Sequence, residues 1–433
     1  MRLKFIAFGM LLVLLLSACR GGRATPGPTP ASTDLLTPAN LAWLKAHAIP
    51  FDAADPTAPL QDLISLKSIV GDARIVALGD ASFGTHEFLQ MKHRLLEYLV
   101  ETMRFNTFAI DVDFLEAERV DAYIHNGEGD PATLMKGLTV WNTQEVLDMI
   151  EWMRTYNADP ARPRKISFHG FGLQSDQLAR EKVSQFIQKV DPQETSQIKD
   201  DYACFPQLSD ACMKKLQDVI DLMNVHRTEY TAKSSPGEFE KALHGARIVI
   251  QYVTVSSNSN NNDLFGQYMV QYMTENVEWI VDQAGPEGKV VVWAHNGVVG
   301  MFSEGSNRSM GDYLHQQYGD QMVVFGFLFY HGSFHALGVG SQNVIKTFHA
   351  AEPPGDSYPF FFQATGLPRF FLDMRSARAD SPDQEWLFTP HASYQVGAMY
   401  NPNNPPFFTV PLAKMFDVVI YFKDTTPSVL LNQ

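Results

Sequence analysis

The chain has 433 residues, a formal net charge of −14, 45% hydrophobic residues and 19% charged residues. This is an ordinary globular composition, large enough for one big domain or two. The acidic balance, with no basic patch to oppose it, excludes nucleic acid as a partner.

Residues 1–18 read as a signal peptide. Arg2 and Lys4 precede an apolar run from Phe5 to Leu16, and Ser17-Ala18 follow. The run is shorter than the ~20 apolar residues that span a bilayer. Leu16-Ser17-Ala18-Cys19 resembles a bacterial lipobox. That resemblance implies lipid on Cys19, membrane contact through the anchor alone, and a place in the cell envelope facing outside the cytoplasm. Residues 20–39 are rich in Gly, Pro, Ser and Thr and read as an extended tether. Residues 40–433 form the folded body.

Thr37-Pro38 opens a short helix, with proline in its first turn. Residues 74–78 have strand character. A helix follows over 85–103, with Thr85 as N-cap and Phe88, Met91, Leu95, Leu96 and Leu99 at helical spacing. Residues 106–112 are the next strand and 115–125 the next helix. Asn142 is placed to cap a further helix, with Glu145 three residues on as in a capping box. Residues 165–171 read as a strand. The stretch 174–283 reads as mostly helical, a subdomain packed over the sheet, and holds two long helices at 238–255 and 264–283. Cys204 and Cys212 lie inside it. Outside the cytoplasm such a pair reads as a disulfide, the alternative being two free thiols. Strands follow at 289–294, 322–329 and 416–422. Apolar strands alternating with helices predict an α/β fold: a mainly parallel or mixed central sheet flanked by helices.

In such sheets ligands bind beyond the carboxyl ends of the strands. Several separate strands end in acids or imidazoles: Asp80 after the first, Asp111 and Asp113 on the second, His169 closing the third, His295 after the fourth. His86 and Glu87 follow Asp80. Carboxylate and imidazole together serve general acid–base chemistry at neutral pH. Each has a plain alternative. Glu87 suits the first turn of a helix by charge alone, Asp113 reads equally as solvated, and His295 as a hydrogen-bonded structural residue. There is no G-x-S-x-G elbow, no H-E-x-x-H helix and no P-loop. The lone cysteine pair is a poor zinc site, and no metal or cofactor is expected.

The segment Gly79-Asp80 through Phe83-Gly84-Thr85-His86-Glu87 resembles the first motif of the erythromycin esterase family. Asp111, the block from Trp141 to Asn157, Met273 to Val277, Val292 to Asn296 and Phe416 to Pro427 are similar to later family motifs, in the same order. The resemblance implies a cleft hydrolase that opens lactones, macrolides among them, or cleaves esters by adding water, in a setting of antibiotic response. It also implies a histidine base supported by acids, with no acyl-enzyme. The departures fall in that cleft. The family's Gly-Glu-x-x-His-Gly has Asp80 for Glu and Phe83 for His. Its His-Asn-x-His has Val298 for the second His. Asp111 stands for a Glu, Gly172 for an Asp. Two readings follow. In the first, the chain is an ester or lactone hydrolase with a rearranged site: His295 as base or oxyanion partner, Asp80 and Asp111 orienting it and holding water, His86 and Glu87 at the rim. In the second it is an inactive pseudoenzyme that binds a small ligand or a cell-envelope partner.

Overall fold

The computed structural model describes residues 36–204, 209–304, 307–339 and 344–431. The signal peptide, Cys19 and most of the tether lie outside the described residues.

Pro38–His47 (α1) opens the folded body, with Thr37 Oγ1 accepting from the Asn40 N–H as its N-cap. Ten strands form one sheet among the described residues. In chain order they are Ile49–Pro50 (β1), Ile75–Leu78 (β2), Thr107–Asp113 (β3), Ser167–Gly172 (β4), Val290–Trp293 (β5), Met322–Gly338 (β6), Ile345–His349 (β7), Arg369–Asp373 (β8), Met399–Tyr400 (β9) and Val418–Thr425 (β10). Their order is β1-β8-β10-β6-β2-β5-β3-β4, with β7 and β9 paired to the far half of β6. The run from β10 to β4 is parallel; β8 pairs antiparallel to β1 and β10. The sheet is therefore mixed, with a parallel centre.

That centre is buried on both faces, so β2 and β5 are continuous apolar runs rather than alternating ones. Ile75 and Ala77 face one core and Val76 and Leu78 the other, as the period of two requires. His86–Met103 (α2), Phe114–Asn126 (α3) and Gln144–Ala158 (α4) border the second core. The first core lies under a helical layer: Gln177–Val190 (α5), Thr195–Tyr202 (α6), Asp210–Val225 (α7), Arg227–Lys233 (α8), Pro236–Ser257 (α9) and Asn262–Ala284 (α10). Val183, Phe239, Val249 and Ile280 of this layer share one cluster with the sheet residues Ala77 and Val292. The Cys204–Cys212 disulfide ties the end of α6 to the start of α7. No helix among the described residues is long and apolar enough to cross a membrane.

Three local expectations change. Thr143, not Asn142, caps α4, its hydroxyl accepting from the Val146 N–H. The main-chain oxygen of Asn142 instead takes the Leu431 N–H of the C-terminal segment. Thr85 precedes α2, yet its hydroxyl makes no capping bond. The strand read at 322–329 runs on to Gly338, because its second half gains partners in β7 and β9 that lie later in the chain.

Candidate active site

Adjacent parallel strands set the site. Leu78 of β2 and Ile110 of β3 both pair with Trp293 of β5. Asp80, Asp111 and His295 thus follow on three neighbouring strand ends.

The first turn after β2 is fixed by close backbone approach. A Cβ on Gly79 would come within 2.1 Å of Asn296 Oδ1. Asn296 accepts from the Phe327 N–H at 3.1 Å and donates to the Phe327 carbonyl at 2.8 Å and to Gln395 Oε1 at 3.1 Å. Only glycine leaves room for this clamp. Asn296 is structural, and it places His295 directly before it.

Asp80 is fully buried and forms an ion pair with Lys92 of α2, also fully buried. Its second oxygen accepts from Trp293 Nε1 at 2.6 Å. The Lys92 ammonium lies 4.3 Å from the Trp293 ring centroid. Burial pushes the Asp80 carboxyl above and the Lys92 ammonium below their ordinary values, with the mutual attraction opposing both shifts. Lys92 was not singled out from the sequence. The signal was there in its spacing: it sits four residues after Phe88, on the apolar stripe of α2.

His295 caps the one-turn helix Asn296–Val299, with its Nδ1 accepting from the Gly297 N–H at 3.1 Å. A lone pair on Nδ1 puts the ring hydrogen of the neutral form on Nε2, a tautomer assigned from this hydrogen bond. Nε2 is buried and meets no acceptor of the described protein. Burial, aided by the charge of Lys92, pushes the ring down to about 4, so it is neutral at physiological pH. His295 therefore presents an N–H donor, not a proton acceptor, beyond the sheet edge.

Phe83 stands where the resemblance expects a histidine. Its ring lies 5.7 Å from His295 and 4.7 Å from Trp141, edge-on to both. Trp141 in turn lies 4.9 Å from Trp293 and donates from Nε1 to the Asp111 carbonyl at 3.4 Å. An aromatic bridge thus connects Asp80, Asp111 and His295. Val298, at the other position where the resemblance expects a histidine, packs against the opposite core and donates its N–H to the His295 carbonyl.

Asp111 accepts from Gln174 Nε2 through one oxygen, at 3.2 Å. Desolvation pushes its carboxyl up to about 6. Asp113 accepts from the Leu115 N–H as the N-cap of α3, a structural role.

The remaining candidates lie elsewhere. His86 pairs through Nδ1 with the buried Glu145 at 2.5 Å, which holds the ring above its ordinary value. Glu145 also accepts from the Val429 N–H. Glu87 accepts from the backbone and hydroxyl of Thr426. Both residues fasten the C-terminal segment over the start of α2. His169 lies mid-strand in β4, not at its end. Its charged neighbours are Asp121, Glu118, Lys241 and His125, and burial pushes it down to about 4. No group of three or more His, Cys, Asp or Glu side chains is arranged to hold a metal ion among the described residues.

A sequence model of the erythromycin esterase family matches residues 100–425. The chain belongs to the erythromycin esterase family. Among its relatives, a putative hydrolase of Bacillus subtilis, YbfO, is 24% identical, with 90% of this chain and 92% of that protein covered. Erythromycin esterase type II of Escherichia coli is 28% identical, with 78% of this chain and 89% of that protein covered. A Bacillus cereus protein of known crystal structure superposes with a TM-score of 0.82 at 26% identity, covering 93% of this chain and all of that one. The match spans the sheet from β3 through β10. It starts after Asp80, Phe83 and Lys92.

Proposed function

We propose that this member of the family hydrolyses a carboxylic ester or lactone, with water activated by Asp111 and the carbonyl oxygen held by His295. The observation that carries the reading is the His295 ring itself: neutral, buried, its tautomer set by Gly297, and its Nε2–H without an acceptor. A donor held in that state suits an oxygen on which negative charge develops. The sequence reading left His295 as base or oxyanion partner; this tautomer favours the second.

The base then falls to Asp111. A carboxylate at about 6 is ionised at neutral pH and more basic than an exposed one. The proton of the attacking water passes to Asp111 as the water oxygen bonds to the acyl carbon. The carbonyl π pair moves to oxygen and is met by His295 Nε2–H. Collapse expels the alkoxide, which takes the proton back from Asp111. The products are a carboxylic acid and an alcohol, with no acyl-enzyme. The Asp80–Lys92 pair touches no substrate; it anchors Trp293 and the first turn in place.

The pH profile tests this assignment. Asp111 works ionised, so kcat/KM should fall as pH drops through about 6. His295, at about 4, adds no limb between pH 5 and 8. Asp111→Asn should remove the acidic limb and lower kcat by about 10²–10⁴. An unchanged limb in that variant would transfer the base elsewhere.

A second reading has its own observation. The Phe83 ring, wedged between Trp141 and His295, makes this part of the site apolar. In that reading the protein binds a ligand without turnover. Turnover by the native chain that is lost in His295→Ala decides for hydrolysis. Activity arising only in the Phe83→His/Val298→His variant decides for binding.

We further propose that the protein is lipid-anchored through Cys19 in the cell envelope. Support comes from the basic, apolar and small-residue order of residues 1–19. Cys19→Ala should move the protein from the membrane fraction to the soluble one; retention in the membrane would overturn the anchor.

A further inference from the structure

We infer that residues 426–431 act as a strap that sets the aromatic wall of the site, and that Glu145 is the positioning residue that latches it. The inference goes beyond the hydrolase reading and holds equally for a site that only binds its ligand.

Two rings from distant segments make the wall. Phe83 is partly buried, and its ring meets that of Trp141 at 4.7 Å. Phe83 lies between β2 and α2, and Trp141 just before α4. The segment after β10 bonds to both places. On one side the His86 N–H donates to the Thr426 carbonyl at 2.9 Å, and the Ser428 N–H to the Gly84 carbonyl at 3.0 Å. On the other the Gln144 N–H donates to the Val429 carbonyl at 2.8 Å, and the Leu431 N–H to the Asn142 carbonyl at 3.2 Å. Gly84 follows Phe83 and Asn142 follows Trp141, so the strap fixes the main chain one residue from each ring.

The Gly84 end is a close fit. Its carbonyl also accepts from the His335 N–H of β6 at 2.9 Å, and a Cβ on Gly84 would lie 2.1 Å from the His335 carbonyl oxygen. Ser428 is buried there, with its hydroxyl 3.3 Å from His335 Nδ1.

Glu145 joins the two sides. Its side chain is only 3% exposed, and the same oxygen accepts from the Val429 N–H at 2.9 Å and pairs with His86 Nδ1 at 2.5 Å. One carboxylate in the first turn of α4 thus holds the strap and the start of α2 together. Bonds to an ionised acceptor are stronger than neutral ones, which makes this the dominant polar contact of the strap. Apolar burial adds little. Val429 is 53% exposed and Leu431 only partly buried. A segment held by polar bonds, with few buried apolar contacts, opens locally without unfolding the body. The strap's residues follow the last one that the family model matches, so these contacts alone define its role.

The test uses the full chain labelled with 5-fluorotryptophan. Its six tryptophans give separate fluorine NMR lines, and Trp141→Phe assigns the line of Trp141. Deuterium exchange with mass spectrometry follows the strap peptide. Glu145→Ala removes the latch from the helix side. Val429→Pro removes it from the strap side, by deleting the N–H. Each should speed exchange of the strap by about tenfold or more, the effect of losing a bond to a charged group. Each should also shift the Trp141 line, while the lines of Trp43, Trp279 and Trp386, which lie with the first core, stay in place. Glu145→Gln keeps an acceptor and should bring exchange back to within about threefold of native. Val429→Ala keeps the N–H and should leave both readouts native. A circular dichroism melt checks folding, and Val429→Pro, at an exposed position, carries the test if Glu145→Ala does not fold. Faster strap exchange with an unmoved Trp141 line overturns the positioning of the wall. Unchanged strap exchange in either folded variant overturns the latch. Both readouts are taken without substrate, so a failure of the hydrolase reading leaves them untouched.

Discussion

Replacing Lys92 with methionine is expected to lower the unfolding free energy by about 3–5 kcal/mol, the usual cost of breaking a buried ion pair on one side. Lys92 and Asp80 are both fully buried, so no water takes over the lost partner. Asp80 would keep only the Trp293 N–H. Burial already holds its carboxyl above the ordinary value with Lys92 present. Without the ammonium it rises further. A raised carboxyl adds stability below its unfolded value and loses it as pH climbs through the folded one. The deficit of Lys92→Met should therefore shrink as pH is lowered toward about 6, where Asp80 of the native protein also takes up a proton, and stay level below that. The double variant Asp80→Asn/Lys92→Met keeps an acceptor for Trp293 and carries no charge. It should recover most of the loss, since replacing a whole buried pair is often close to neutral. Urea unfolding of the three proteins measures this, and a single-variant loss below about 1 kcal/mol would mean that the pair is not a closed one.

His295→Ala has the largest expected effect on activity. Removing one preorganised donor to a developing oxyanion costs about 10²–10³ in kcat. The loss should fall on kcat, with KM changed by no more than about threefold, because the bond strengthens in the transition state. Stability should fall by only about 1 kcal/mol, the value of a helix cap, since Nδ1 serves Gly297. Steady-state kinetics on an ester that the native protein turns over separates the two effects. A variant with native kcat would remove His295 from the chemistry.

Asp80, Asp111 and His295 were legible as candidates because each follows an apolar strand, and the ends of parallel strands lie together. Their partners were not. Lys92 reads as an ordinary helix lysine until α2 is laid on the sheet and its ammonium comes over the Trp293 ring. Glu145 reads as half of a capping box, yet its carboxylate serves His86 and Val429, residues far away in the chain. The choice of Thr143 over Asn142 as cap turned on one hydroxyl reaching Val146. His169 was misplaced because three residues more of strand carry β4 past it to Gly172.

By itself, the sequence determined the class of fold and the likeness to the family. Hydrophobic periodicity is a local property, and motif order survives in one dimension. Only the tertiary structure decided which partners the strand-end residues meet. Which ring nitrogen of His295 is taken depends on where the Gly297 N–H points. Where the Gln174 amide sits depends on the space that Gly172 leaves beside Asp111. Both are matters of direction, over distances of about 3 Å, between groups whose approach the chain alone does not encode in any local pattern.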